Sequence, residues 1–305
     1  MCVTPAPRHL DGILLVDKPA GITSAGVVRE VKRRLDVAKV GHLGTLDPFA
    51  TGLLPLALGE GSKVVPFLNQ EHKAYEGVIA LGRATNTLDA TGETTEEAAV
   101  PAFDAAVLAD VAARFRGDID QVPPMFSALK RAGVPLYTLA RRGVEVDLEP
   151  RRVRILELSL APAGAQGIAL SVRCSKGTYV RSLARDLALA LETVGHLQAL
   201  RRTAFGYFDV TRARPLAELT PSGTLPLLTP REALEPMLEL PADDKLISEL
   251  RRGEQRGLAD LAPSDPSRPT AKLVGPRGSL VAIIVNERGQ WRLARVLAER
   301  SLDRP

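Results

Sequence analysis

The chain has 305 residues, with 40 Lys and Arg against 36 Asp and Glu for a formal net charge of +4, and 45% of its residues are hydrophobic. That composition is globular, and two cysteines without a CxxC pair exclude a disulfide-stapled miniprotein and a zinc ribbon. No run approaches the 18 or so apolar residues of a membrane span and the first residues lack a signal-type apolar core, so a soluble protein of the reducing cytoplasm, with no membrane partner, is expected.

In chain order, residues 12–17 read as a buried strand, broken by Lys18-Pro-Ala-Gly21. Thr23 or Ser24 then caps a helix whose Val27, Val28, Val31 and Leu35 share one face, leaving Arg29, Lys32, Arg33 and Arg34 largely outside it. Residues 41–52 are turn-rich, with Gly and Pro interleaved among His42, Thr45, Asp47 and Thr51. A strand over 74–81, an amphipathic helix over 103–115 and a short helix over 136–142 follow. Paired strands over 153–160 and 168–174 then lead through Ser175-Lys-Gly177 into a helix over 178–191. Residues 215–241, rich in Pro and Leu, read as a wandering connection with a domain boundary near 240. Beyond it come a helix over 246–252, a stretch over 261–278 with four prolines, and a hairpin of 279–285 with 290–297. Strands and helices mix without regular alternation, which predicts an α+β fold with a mixed, mainly antiparallel sheet.

Charge is unevenly spread. Residues 1–70 carry net +2, 71–109 net −5, 110–215 net +7 and 216–305 net 0. A basic middle suits a face that meets a polyanion, although solvated arginines on helix surfaces give the same count. The chain holds 7 Phe, 4 Tyr and 1 Trp. A nonspecific single-strand binder stacks bases on several aromatic platforms, so this scarcity points to one or two specialised contacts.

Asp47 sits in Gly41-His-Leu-Gly-Thr-Leu-Asp-Pro-Phe-Ala-Thr-Gly52, where a stiffened loop can aim a carboxylate into a cleft for nucleophilic or general-base work. Asp before Pro also initiates ordinary turns. Gly59-Glu-Gly-Ser-Lys63 lacks the full phosphate-loop pattern, and histidines at 9, 42, 72 and 196 have no ligand-like spacing, so neither nucleotide hydrolysis nor a metal site is supported.

Gly41-His-Leu-Gly-Thr-Leu-Asp-Pro48 closely resembles the active-site motif of the TruB family, tRNA pseudouridine synthases that act on the T-loop uridine at tRNA position 55. Five further segments resemble family motifs in order: Asp17-Lys-Pro-Ala-Gly-Ile-Thr-Ser24, Lys73-Ala-Tyr-Glu76, Gln121-Val-Pro-Pro-Met-Phe-Ser-Ala-Leu-Lys130, Cys174-Ser-Lys-Gly-Thr-Tyr-Val-Arg181 and Gly195-His-Leu-Gln-Ala-Leu-Arg-Arg-Thr203. The resemblance implies a pseudouridine synthase fold, an isomerase without cofactor or metal, and Asp47 as the essential aspartate. That residue would attack C6 of uracil or C1′ of ribose, or deprotonate C2′. It further implies that Tyr75 stacks on the flipped base and takes part in removing the C5 proton, and that Arg181 pairs with Asp47. Tyr179 and Leu200 would line the base pocket, with His42 helping to fill the space the nucleotide leaves. Tyr179 and Arg181 are two apart, so both reach one site only from a helix terminus.

Lys130, Arg131, Arg141, Arg142, Lys176, Arg201 and Arg202 are natural phosphate contacts on this reading, and Lys18 could meet phosphate or serve the fold. The expected organisation is a catalytic domain over 1–239, folding on its own, and a small PUA-like β-rich RNA-binding domain over 240–305. A monomer that binds the T-arm of tRNA and needs no protein partner is expected. The alternatives are a guide-RNA-dependent pseudouridine synthase and a tRNA-binding folding chaperone without chemistry.

Overall fold

The computed structural model describes residues 9–68, 72–127, 129–131, 133–144, 146–262 and 267–298. In chain order its first half runs β1 (Gly12–Lys18), α1 (Ser24–Leu35), β2 (Val40–His42), β3 (Thr51–Leu58), β4 (His72–Leu81), β5 (Arg83–Thr85), β6 (Thr94–Glu97), α2 (Ala105–Arg114), β7 (Gly117–Gln121), β8 (Lys130–Arg131), β9 (Val134–Pro135) and α3 (Leu136–Ala140). The second half adds β10 (Arg151–Pro162), β11 (Gly167–Ser175), α4 (Val180–Ala190), β12 (Gly195–Phe205), β13 (Phe208–Asp209), β14 (Arg214–Pro215), β15 (Leu227–Leu228), β16 (Leu238–Pro241), α5 (Asp244–Arg251), β17 (Thr270–Val274), β18 (Leu280–Glu287) and β19 (Gln290–Val296).

Eleven strands form the central sheet along the path β14-β1-β3-β12-β4-β11-β10-β7, with β2 added to β3, β13 to β12 and β15 to β1. Among the described residues only β1 with β14 and β3 with β12 run parallel in this sheet, so it is mixed and mainly antiparallel, as the sequence predicts. The near-continuous apolar run of β1 reflects cover on both faces. Leu14 and Val16 pack with Val27, Val31 and Leu35 of α1, in a core that α2 and α4 also enter. Ile13 and Leu15, one pleat step away, pack with Leu280 and Ile283 of β18 and with Leu297.

The Thr23 hydroxyl accepts from the Gly26 N–H and caps α1. The expected helix over 178–191 starts two residues later, because Tyr179 keeps extended geometry (φ −99°, ψ 107°) as the residue before α4. The short helix expected over 136–142 stops at Ala140.

At the centre, β12 meets β3 in parallel only through Arg201 opposite Thr51 and Arg202 opposite Gly52. Gly52 has φ +100°, and a Cβ there would lie 2.3 Å from the Arg202 carbonyl oxygen, so the strands approach this closely only with glycine.

Residues 215–241 do not wander: β14 and β15 both pair with β1. The four-stranded C-terminal sheet has the order β16-β17-β18-β19, and a cut after residue 239 falls inside β16. Its hairpin turns through Arg288 (φ 54°) and Gly289 (φ 85°), the two left-handed residues of a type I′ turn. One face of this sheet packs on α5 through Leu246, Ile247 and Leu250; the other shares a core with β1, β3 and Phe208. The 1–239 segment thus holds one core within itself, built from Leu14 to Leu219, and shares a second with the C-terminal sheet. In the Pro-rich 261–278 stretch, residues 263–266 lie outside the described residues.

Candidate active site

Asp47 lies between β2 and β3 on a segment clamped at the backbone. Ser24 Oγ donates to the Leu46 carbonyl (3.1 Å) and accepts from the Leu46 N–H (2.9 Å). The Gly21 N–H donates to the Pro48 carbonyl (2.8 Å), and the Ala50 N–H closes the turn onto the Asp47 carbonyl (3.1 Å). Lys18 Nζ donates to the carbonyls of Pro19 and Ile22 (2.8 Å each) and of Pro48 (3.2 Å). Arg202 donates from Nε to the Leu53 carbonyl (2.7 Å) and from its two terminal nitrogens to the Thr45 and Gly44 carbonyls (3.3 Å each).

Lys18 and Arg202 are fully buried, which corrects the expected place of Arg202 at RNA phosphate and leaves Lys18 with the second of its two expected roles, serving the fold. Their hydrogen-bond donors are directed at main-chain carbonyls, where they hold both sides of the Asp47 segment and stabilise charge away from water. Burial pulls Lys18 down to about 8, with the Asp47 charge opposing.

Arg181, the second residue of α4, meets Asp47 with a forked pair: Nε to Oδ2 at 2.9 Å and Nη2 to Oδ1 at 3.2 Å. The same guanidinium donates to the carbonyls of Thr87 (2.8 Å) and Phe126 (2.9 Å) and stands 3.4 Å from Asp89 Oδ2. Arg181 is only 4% exposed, whereas the Asp47 side chain keeps a third of its surface open. Asp89 is buried and its Oδ1 accepts from the Thr87 hydroxyl and from both the N–H and hydroxyl of Thr91. One cation is thus fixed between two carboxylates, only one of which opens outward. Burial raises the Asp47 pKa above the usual value; Arg181 opposes the rise and Asp89 adds to it.

A cavity of about 240 Å³ opens above this pair, lined by Asp47, Tyr75, Tyr179, Arg181 and Leu200 together with Thr45, Lys73 and Ser127. Tyr179 joins because its own N–H is held by Gln121 Oε1 (2.8 Å) at the start of α4. Burial raises the Tyr75 pKa, against the neighbouring Arg202 cation and its hydrogen bond. His42 lies on β2, exposed and outside the cavity lining, its pKa lowered by partial shielding and by Arg202. Lys130, Arg131, Arg141, Arg142 and Lys176 are exposed, Arg131 donating to the Asp147 carbonyl (2.8 Å) and Arg141 standing 5.8 Å from the ring centre of exposed Tyr137. Arg201 is half-buried and forked onto Asp17 (2.7 and 3.0 Å).

Asp89, Lys73 and Ser127 escaped the sequence reading. Lys73 had a usable signal, since it precedes Tyr75 by two in a strand and so shares its face. Asp89 had none beyond an Asp among threonines.

A larger cavity, about 730 Å³, lies where the C-terminal sheet meets the rest of the chain, but its Arg231 and Lys272 are paired with Glu239 and it lacks an open carboxylate fixed by a buried arginine. Among the described residues no three His, Cys, Asp or Glu cluster as metal ligands, and no helix is long and apolar enough to cross a membrane.

Residues 32–180, from α1 through the Asp47 loop to the start of α4, match the family described as TruB family pseudouridylate synthase (N terminal domain). The chain is 48% identical over 257 residues to tRNA pseudouridine synthase B of Azoarcus sp. (strain BH72), covering 81% of this chain and 85% of that one. The chain belongs to the TruB family. It is therefore an isomerase that converts uridine to pseudouridine. Similarity to tRNA pseudouridine synthase B of Chromohalobacter salexigens runs at 39% identity over 298 residues, 96% of each chain. Among solved structures, a Cbf5-Nop10-Gar1 complex contains a chain that superposes with TM-score 0.68 at 23% identity, covering 93% of this chain and 84% of that one, so this TruB-family chain shares its fold.

Proposed function

We propose that the protein forms pseudouridine at position 55 in the T-loop of tRNA, with Asp47 as nucleophile on a nucleotide flipped into the 240 Å³ cavity. The observation that carries this reading is the forked Asp47–Arg181 pair on the cavity wall, a carboxylate open to a ligand and fixed by a buried cation. The relatives named tRNA pseudouridine synthase B support tRNA as substrate.

The isomerisation breaks the bond from ribose C1′ to uracil N1, joins C1′ to C5, removes the C5 proton and protonates N1. Atoms and electrons balance without redox change. Asp47 serves this by attack on C6 or C1′, or by taking the C2′ proton, and in each case must be ionised, which Arg181 favours. Extruding a stacked base costs a few kcal/mol, roughly what stacking on Tyr75 returns at about 1–3 kcal/mol. Exposed Lys130, Arg131, Arg141, Arg142 and Lys176 meet the phosphates of the T-arm, and the C-terminal sheet acts as a PUA-like module that orients the RNA. On this reading the enzyme works as a monomer without a protein partner.

The test is incubation with an unmodified tRNA transcript followed by pseudouridine mapping: one modified uridine in the T-loop is expected. Modification elsewhere, or only after a guide RNA is added, overturns the reading.

A further inference from the structure

Lys73 and Tyr75 share a face of β4 and both line the cavity that holds Asp47. The register sets Lys73 against Phe205 of β12 and Cys174 of β11. Its ammonium stands 5.2 Å from the Phe205 ring centre, and among the described residues it has no hydrogen-bond or ion-pair partner. The fully enclosed cations of this protein are treated differently: Lys18, Arg181, Arg202 and Lys272 each donate to main-chain carbonyls. Among the described residues the Arg202 cation acts on Lys73 and disfavours its charge, and the Cys174 thiol beside it is kept neutral by burial. A half-buried cation with three unused donors, on the wall of a substrate cavity and near a like charge, is a site for an anion.

We propose that Lys73 binds a backbone phosphate of the nucleotide held in the cavity and so sets the depth at which its ribose meets Asp47. This rests on the T-arm reading above. Two residues along a strand advance about 7 Å, so Tyr75 and Lys73 leave β4 at points spaced on the scale of a nucleotide's base and its own phosphate. Tyr75 would then hold the base and Lys73 the backbone, making Lys73 a positioning residue for the reaction.

The experiment uses the full chain, a T-arm hairpin RNA, and the variants Lys73→Met, Lys73→Gln and Lys73→Arg. Binding is measured across a salt series beside single-turnover rate. Met and Gln should weaken binding about tenfold at low salt and lower the slope of log Kd against log salt by about 0.7–0.9, one counterion's worth, while Arg keeps the wild-type slope. In hairpins carrying a neutral methylphosphonate on either side of the target uridine, one position should cost the wild type the same affinity and cost Lys73→Met little more. An unchanged salt slope in Met and Gln, or methylphosphonate losses that add fully to the Met loss at both positions, overturns the proposal. Wild-type turnover on the hairpin reports separately on the T-arm reading: binding without pseudouridine formation defeats that reading while the salt and methylphosphonate results still judge Lys73.

Discussion

Burial holds the Asp47 carboxyl above its usual pKa while Arg181 and Lys18 pull the other way. Because the role proposed for Asp47 needs the ionised form, the acid limb of the single-turnover rate should lie above the ordinary carboxylate value of about 4; a limb at or below that value contradicts the assignment. The sign for stability is opposite to that of an ordinary salt-bridged aspartate. A pKa raised on folding means the folded state binds the proton more tightly, so the group favours folding below its unfolded pKa and loses that contribution as pH rises through the folded pKa. Asp47→Asn should therefore melt no lower than wild type at neutral pH, a calorimetric measurement; a drop of several degrees contradicts it. At Tyr75, Phe should bind the hairpin normally yet turn over slowly, and Leu should lose both. Equal rates for Phe and wild type leave the ring as a platform only. Asp47, Tyr75, Tyr179, Arg181 and Leu200 were legible because each sits in a contiguous motif, and the structure brings them to one cavity. Arg202 was misplaced, and Lys18 left open between two roles, because charge can be read from sequence and depth cannot. Adjacent Arg201 and Arg202 project to opposite faces of β12, one reaching Asp17 near the surface and the other the interior.

At the scale of elements, the long periodic segments were legible: α1, with its Thr23 cap, and the β18–β19 hairpin formed close to where the pattern placed them. Strands β14, β15 and β16 were not, since runs of two to four residues carry no periodicity and these exist by pairing with β1 or β17. The contact between β3 and β12 is equally nonlocal. It fixes the backbone of Arg202, whose guanidinium in turn holds the Gly44 and Thr45 carbonyls just before Asp47. Gly52→Ala should cost about 2–3 kcal/mol, from its left-handed φ and from the clash with the Arg202 carbonyl, and lower turnover beyond what the unfolded fraction explains. Denaturant melts combined with rates on the folded fraction check this; a full rate on that fraction separates the strand contact from the site.

Across the whole molecule, Leu280 and Ile283 of the C-terminal sheet share one buried cluster with Ile13, Leu15, Leu53 and Phe208. A chain cut near Pro241 should accordingly be poorly soluble or melt well below the full chain, even though the 1–239 segment holds all the proposed site residues. Soluble yield and a melting curve decide this; a cut chain that melts like the full one contradicts the shared core. The same shared core gives a region of balanced charge a route to orient RNA relative to the Asp47 cavity, so substitutions there should alter binding of full-length tRNA more than of the T-arm hairpin. The most direct measurement of the central claim is single-turnover pseudouridine formation in an unmodified tRNA transcript by wild type and by Asp47→Asn, with binding measured on the same samples. One converted T-loop uridine is expected for wild type and no conversion for Asp47→Asn, with binding of the two within about tenfold, or 1.4 kcal/mol. Conversion by Asp47→Asn at a rate within about tenfold of wild type would contradict that claim.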